Sequence, residues 1–396
     1  MERGASDLHV KTGTRPVIRV DGRLEYLNEP PPNQKEMEQA VEQILSPAQR
    51  EEFARSREID FGFGITGLAR FRSNFYCQRG TIAMAIRHVP LGVPAFEDLN
   101  LPEVLKNLSM RRRGLLLVTG TVGSGKSTTL ASMIDLINRT EAKNIITVED
   151  PIEFLHRDEK SIISQREVGL DTDSYLAALK HILRQDPDVL LMGEIRDRET
   201  MQVALMAADT GHLVMSTLHT ADATQTINRI ISFYPPHQHD EVRFLLAANL
   251  AAVISMRLIP RADGKGRVPA VEVMINTETI HDYILDPVKT VMINQAIAEG
   301  VAQYGMQSFD QSLMGLLQKD LISLEAALSN ASNPTEFELR IKGIHATSDA
   351  KWAAFEDDEE KKKKVVGGES VPAEPAPEEN SDLNQLNPDK PWDRFE

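Results

Sequence analysis

Apolar and polar positions follow two different rhythms along this chain, and the change falls near residue 98. Val17-Ile18-Arg19-Val20 and Arg23-Leu24-Glu25-Tyr26-Leu27 flank Asp21-Gly22, a pair suited to the type I′ turn of a β-hairpin. Residues 34–45 carry helical spacing, and Ser46-Pro47 restarts a second helix running to Arg57. Segments 59–65, 69–78 and 81–88 alternate again and predict three strands. Pro90 and Pro94 mark a linker. From Pro102 onward, solid apolar runs such as Leu115–Val118 alternate with amphipathic stretches such as TLASMIDLIN. That alternation predicts a parallel sheet with helices on both faces. After Ala346 neither rhythm survives: EDDEEKKKK and GGESVPAEPAPEEN are charge blocks and Pro/Glu-rich sequence, unable to form a packed core. The expected organisation is a small α+β domain at 1–98, an α/β domain at 99–345 and a disordered acidic tail at 346–396.

Charge sharpens this division. The chain of 396 residues has a formal net charge of −15, which argues against a protein that coats nucleic acid. Residues 346–396 hold 14 acidic and 7 basic side chains, so the tail supplies nearly half of the excess. A single cysteine, Cys77, rules out an intrachain disulfide and a multi-cysteine zinc site. The longest apolar candidate, 244–256, is too short to span a bilayer and contains Asn249 and Ser255. No secretory signal opens the chain, and a cytoplasmic location is the expectation.

Residues 114–129, GLLLVTGTVGSGKSTT, carry the most specific chemistry. An apolar strand leads into a loop whose Gly120, Gly125, Lys126 and Ser127 match G-x-x-x-x-G-K-[ST]. A triphosphate needs many donors at close range. Backbone N–H groups of Gly120, Thr121, Val122, Gly123, Ser124 and Gly125 supply them where side chains do not intrude. Lys126 can reach the β- and γ-phosphates, the Ser127 hydroxyl can hold Mg²⁺, and Thr128 completes the first turn of a helix whose positive end faces the anion. The predicted ligands are ATP and Mg²⁺.

Three further strands end in polar residues. Strand 144–148 runs into Glu149, Asp150 and Glu153, carboxylates costly to assemble unless a cation or proton transfer uses them. DPDVLLMGEIRD at 186–197 is a buried strand followed by Glu194, a Walker B position suited to Mg²⁺ through water. The run 210–219 reads as another strand, with His219 at its end. Arg70 and Arg72 share a strand face, and Arg79 and Arg87 follow on adjacent segments. Arg111-Arg112-Arg113 reads as a solvent-facing linker run.

TGTVGSGKST, ITVEDPIEF, LLMGEIRDRETM and TGHLVMSTLHT together resemble the Walker A, Asp box, Walker B and His box of the hexameric ATPases of type II secretion and type IV pili. The resemblance extends from SDLHV at Ser6 to GMQSFDQSL ending at Leu313. Within that family it is greatest to the pilus retraction motors of the PilT and PilU group. It implies a PAS-like N-terminal domain, a RecA-like ATPase domain and a homo-hexameric ring at the inner-membrane pilus base, acting on a platform protein, with a paralogous PilT-type motor as a further partner. It places the catalytic glutamate at Glu153 and the Walker B and His box residues at Glu194 and His219. In ring ATPases arginines of a neighbouring subunit contact the γ-phosphate, which makes Arg72 and Arg87 the expected fingers in trans. The family usually has another helix before SDLHV, and the acidic tail lies outside its pattern. Assembly ATPases of the same family carry a four-cysteine zinc insertion that one cysteine cannot supply. A nucleic-acid-translocating ring is the remaining alternative. It is disfavoured by the acidic charge, by only 13 Phe and 6 Tyr, and by the position of Trp352 and Trp392 outside the expected core.

Overall fold

The computed structural model describes residues 4–342 apart from 21–22, 66–68 and 90–91. The Asp21-Gly22 turn and the acidic tail, including its PWDRFE end, therefore lie outside the described residues.

Six strands form an antiparallel N-terminal sheet: β1 (Asp7–Lys11), β2 (Thr14–Val20), β3 (Arg23–Tyr26), β4 (Glu58–Ile65), β5 (Ala69–Gln78) and β6 (Thr81–Val89), in the order β3-β2-β1-β6-β5-β4. The SDLHV segment supplies β1, which lies between β2 and β6. Two helices, Gln34–Ile44 and Pro47–Ser56, bury Met37, Val41 and Phe53 against Ile59, Phe61, Phe75, Ile82 and Met84 of the sheet. Each helix opens on a reciprocal capping box, Asn33 with Glu36 and Ser46 with Gln49. That pairing satisfies N–H groups that the first turn cannot satisfy itself.

The second sheet has seven strands: β7 (Gly114–Thr119), β8 (Asn144–Glu149), β9 (Ile162–Glu167), β10 (Val189–Met192), β11 (Leu213–Leu218), β12 (Leu250–Pro260) and β13 (Arg267–Ile275), in the order β13-β12-β7-β11-β10-β8-β9. Leu115, Leu116, Leu117 and Val118 are all fully buried, which explains why β7 reads as a continuous apolar run: helices cover both faces. The strands from β12 to β9 are parallel, so β7, β8, β10 and β11 deliver their C-terminal ends to one edge, where open α/β sheets bind ligands.

The expectation of a wholly parallel sheet needs one correction: β13 pairs antiparallel with β12. Only residues 261–266 join them, too few for a parallel crossover. The strand expected over 210–219 is also shorter. Thr210 closes the helix Arg198–Asp209 by bonding its hydroxyl to the Met206 carbonyl, β11 begins at Leu213, and His219 stands one residue beyond it. Among the described residues no helix is long and apolar enough to cross a membrane.

Candidate active site

The phosphate loop joins β7 to the helix Lys126–Thr140. Gly120 has φ +142°, and a Cβ there would lie 2.5 Å from the Met256 carbonyl oxygen, so only glycine fits this approach of loop to sheet. Lys126 is largely buried, and its Nζ donates to the carbonyls of Gly120 at 2.8 Å and Thr121 at 3.0 Å. Burial pushes its pKa down, opposed by the charge of Glu194. Among the described residues Lys126 forms no ion pair within 4 Å, and Glu194 acts on it only at longer range. Val122, Gly123, Gly125, Lys126, Ser127 and Thr128 line a cleft of about 530 Å³. Gly120, Thr121 and Ser124 complete the loop without lining that cleft.

The facing wall comes from the ends of β8, β10 and β11. Glu149, Asp150, Glu153, Glu194 and His219 all line the same cleft. Glu194 accepts from His219 Nε2 at 3.1 Å and pairs with Arg196 at 3.0 Å. Burial alone would push its carboxyl up, but the Arg196 hydrogen bond and the charges of His219 and Arg196 outweigh that and hold it below the usual range. Glu149 shows the opposite balance. Burial raises its pKa despite hydrogen bonds from the Thr147 hydroxyl at 2.7 Å and Gln165 Nε2 at 3.2 Å. Glu153 is half exposed and faces Arg72 at 3.7 Å. Burial and pairing thus move Glu149 and Glu194 in opposite directions, which is how neighbouring acids come to hold different roles.

The N-terminal sheet reaches this cleft. Arg72 and Arg87 line it, with Arg87 oriented by Asp7 at 2.8 Å. Arg70 turns elsewhere and pairs with the buried Glu167 of β9, which also accepts the Ile152 N–H at 3.1 Å. A Cβ on Gly62 would sit 2.6 Å from the Glu167 carboxylate, so a glycine lets β4 approach that ion pair. Arg79 occupies the turn after β5 and does not line the cleft, nor do the exposed Arg111, Arg112 and Arg113. Of the four clustered arginines, two face the cleft, one joins the two sheets and one shapes a turn.

Sequence reading passed over several lining residues: Arg196, Tyr175, His156, Leu258 and Arg267. Arg196 could have been found two positions after Glu194, whereas the others are brought in by tertiary contacts. The Tyr175 hydroxyl is pushed far up by burial and by the carboxylates of Asp150, Glu149 and Glu194. Burial lowers His156 to about 4, and its Nδ1 is buried without a hydrogen-bond partner. A folded-state pKa below the unfolded value means that the unfolded chain takes up a proton the folded ring refuses. Stability present above pH 6.5 is therefore lost as pH falls toward 4, by about 3 kcal/mol at most. Thermal unfolding across that window should show a shallower acid loss in His156→Phe than in the parent. Equal slopes would place the acid sensitivity elsewhere.

Among the described residues no group of three or more His, Cys, Asp or Glu side chains could hold a metal ion alone. The cleft does offer isolated hard donors, the Ser127 hydroxyl and the Glu194 carboxylate. That set suits a cation sharing its coordination with phosphate oxygens and water, the usual habit of Mg²⁺.

Comparison with known proteins agrees with this architecture. Residues 90–320 match the family described as Type II/IV secretion system protein. The type IV pilus ATPase PilU of Pseudomonas aeruginosa is 40% identical over 350 residues, covering 88% of this chain and 91% of that one. The type IV pilus retraction ATPase PilT of the same organism is 44% identical over 336 residues, covering 85% and 97%. A crystal structure of the pilus retraction motor PilT with bound ADP superposes with a TM-score of 0.79 at 42% identity, covering 85% of this chain and 96% of that one. The chain belongs to the type II/IV secretion system protein family and is a nucleotide-binding, ATP-hydrolysing enzyme.

Proposed function

We propose that this chain is the motor ATPase of type IV pilus retraction, working as a homo-hexameric ring on the cytoplasmic side of the inner-membrane pilus base. The observation that carries the reading is the composition of the cleft. Lys126, the carboxylates of β8 and β10, and Arg72 and Arg87 of a separate sheet converge on one space. A site closed by a second sheet can convert the loss of a phosphate into movement of that sheet.

In this scheme the phosphate loop amides and Lys126 bind the phosphates, and Lys126 gathers charge developing on the β/γ oxygens. Glu153 orients the attacking water and accepts its proton, with Glu149 as the alternative base. Glu194, fixed by His219 and Arg196, orders the γ-phosphate side of the cleft. Ser127 and Glu194 would hold Mg²⁺, which supplies charge neutralisation at the phosphates when bound. Arg72 and Arg87 meet the γ-phosphate and draw the N-terminal sheet down, and hydrolysis lets it rise. The summed movement is delivered to a platform protein in the membrane.

Within one chain both arginines already line the cleft, which supports action in cis, whereas ring ATPases commonly use them in trans. Mixed rings distinguish the two. Arg72→Ala, Arg87→Ala subunits combined with Lys126→Ala subunits recover activity only if a site is completed across a junction. Specific activity should likewise rise with protein concentration as rings form.

The cellular test is deletion. Cells lacking this chain should keep assembled pili while surface spreading falls. A PilU-like role beside a PilT-type partner motor gives a weaker defect, visible under load. Bald cells accumulating unassembled pilin would overturn retraction in favour of the extension reading.

A further inference from the structure

We infer that Glu272 is a positioning residue of the ATPase cycle, tying the segment that carries His219 to the strand that leads into the phosphate loop. Glu272 stands on β13, which contributes none of the four nucleotide motifs, and is 5% exposed. One oxygen, Oε1, accepts the backbone N–H of Ala223 at 2.8 Å and the Ser255 hydroxyl at 3.2 Å. Thr119 in turn donates its hydroxyl to Ser255 Oγ at 3.1 Å. Thr119, Ser255 and Ala223 are fully buried.

Each end of this relay lies a few residues along the chain from the cleft lining, at His219 and Val122. Ala223 is the first residue of the helix Ala223–Ser232, and His219, four positions earlier, holds Glu194. Thr119 directly precedes Gly120, whose carbonyl receives Lys126 Nζ. A shift of the His219 segment on nucleotide exchange would therefore pull on Ser255 and on the base of the loop through bonds that water cannot replace. A carboxylate also suits the start of a helix, where the free N–H groups and the dipole favour negative charge.

An ordinary buried anchor would be cheaper as an amide, because burying an ionisable group is costly. Burial raises Glu272 to about 7; the Ala223 and Ser255 hydrogen bonds oppose that rise. The charged groups facing it are Asp222 at the helix start, which raises it further, and Arg257 of β12, which lowers it. The carboxylate thus changes charge near neutral pH. Its charged form grips both donors more strongly, so the relay is tightest above that point.

This inference rests on the role given to His219 under Proposed function. The test uses the full chain and its Glu272→Leu, Glu272→Gln, Ser255→Ala and His219→Ala variants. The readouts are ATP turnover, KM, affinity for a fluorescent ADP analogue and melting temperature, between about pH 6 and about pH 8. Glu272→Leu should lose about tenfold in kcat while analogue affinity stays within about threefold. Glu272→Gln, which keeps an acceptor oxygen, should recover most of that loss near pH 6, with the parent pulling ahead of it as pH rises. Parental kcat in Glu272→Leu, or a Gln variant that parallels the parent at every pH, overturns the inference. If the Leu variant fails to fold, Ser255→Ala decides, since it cuts the relay and leaves the Ala223 bond; parental kcat there also overturns it. Parental kcat in His219→Ala overturns the underlying reading of the site. A slow His219→Ala beside parental Glu272 and Ser255 variants overturns the coupling alone.

Discussion

Lys126→Ala should lower kcat/KM for ATP by about 10³-fold or more, a loss of about 4 kcal/mol in transition-state stabilisation. The size follows from the geometry. Lys126 is buried at the loop mouth and fixed by two carbonyls 2.8 and 3.0 Å away, so its charge is preorganised. Among the other cations lining the cleft, Arg196 pairs with Glu194, Arg72 with Glu153 and Arg87 with Asp7, while Arg267 reaches only the Gly123 carbonyl, at 3.4 Å, from the exposed side of the loop. None of them is fixed by two carbonyls of the loop itself, as Lys126 is. Turnover and nucleotide affinity measured together decide the matter, and a variant within about tenfold of the parent would show that another group neutralises the phosphates.

Glu153→Gln is expected to keep nucleotide affinity and to lose about 10²-fold or more in kcat, because a carboxamide cannot accept the proton of attacking water. Glu149→Gln belongs in the same experiment. Glu153 is half exposed and paired with Arg72, while Glu149 is largely enclosed at the end of β8, and burial raises its pKa. If Glu153→Gln turns over normally and Glu149→Gln does not, the base is Glu149, and the Arg72–Glu153 pair serves closure of the N-terminal sheet. The pH profile adds an independent readout: a base with a raised pKa loses activity in acid at a higher pH than an exposed carboxylate would.

The parts of this site legible in the sequence are those whose chemistry is local. The phosphate loop is ten residues of continuous chain, and its glycines, its lysine and the strand before it announce their conformation together. The strands leading to Glu149, Glu194 and His219 were equally readable, since β8, β10 and β11 are largely apolar runs that reach these polar residues at their end or within two positions of it. Sequence alone also set the fold class, the order of a small α+β unit followed by an α/β unit, and the resemblance to the family that comparison then showed.

Tertiary structure decided what sequence separation hides. Arg70 and Arg72 are two positions apart on one strand, yet Arg70 pairs with Glu167 of β9 and Arg72 faces Glu153 in the cleft. Which arginine met which carboxylate depended on how the two sheets dock, a geometry no local propensity encodes. The antiparallel return of β13 followed from a connection too short to cross over, and it carried Glu272 opposite Ser255 of β12 and against Ala223, 49 residues earlier in the chain. Periodicity specifies an element and the face it buries. Partners across a sheet are set by strand order and register, which minimise the free energy of the whole core rather than of any one segment.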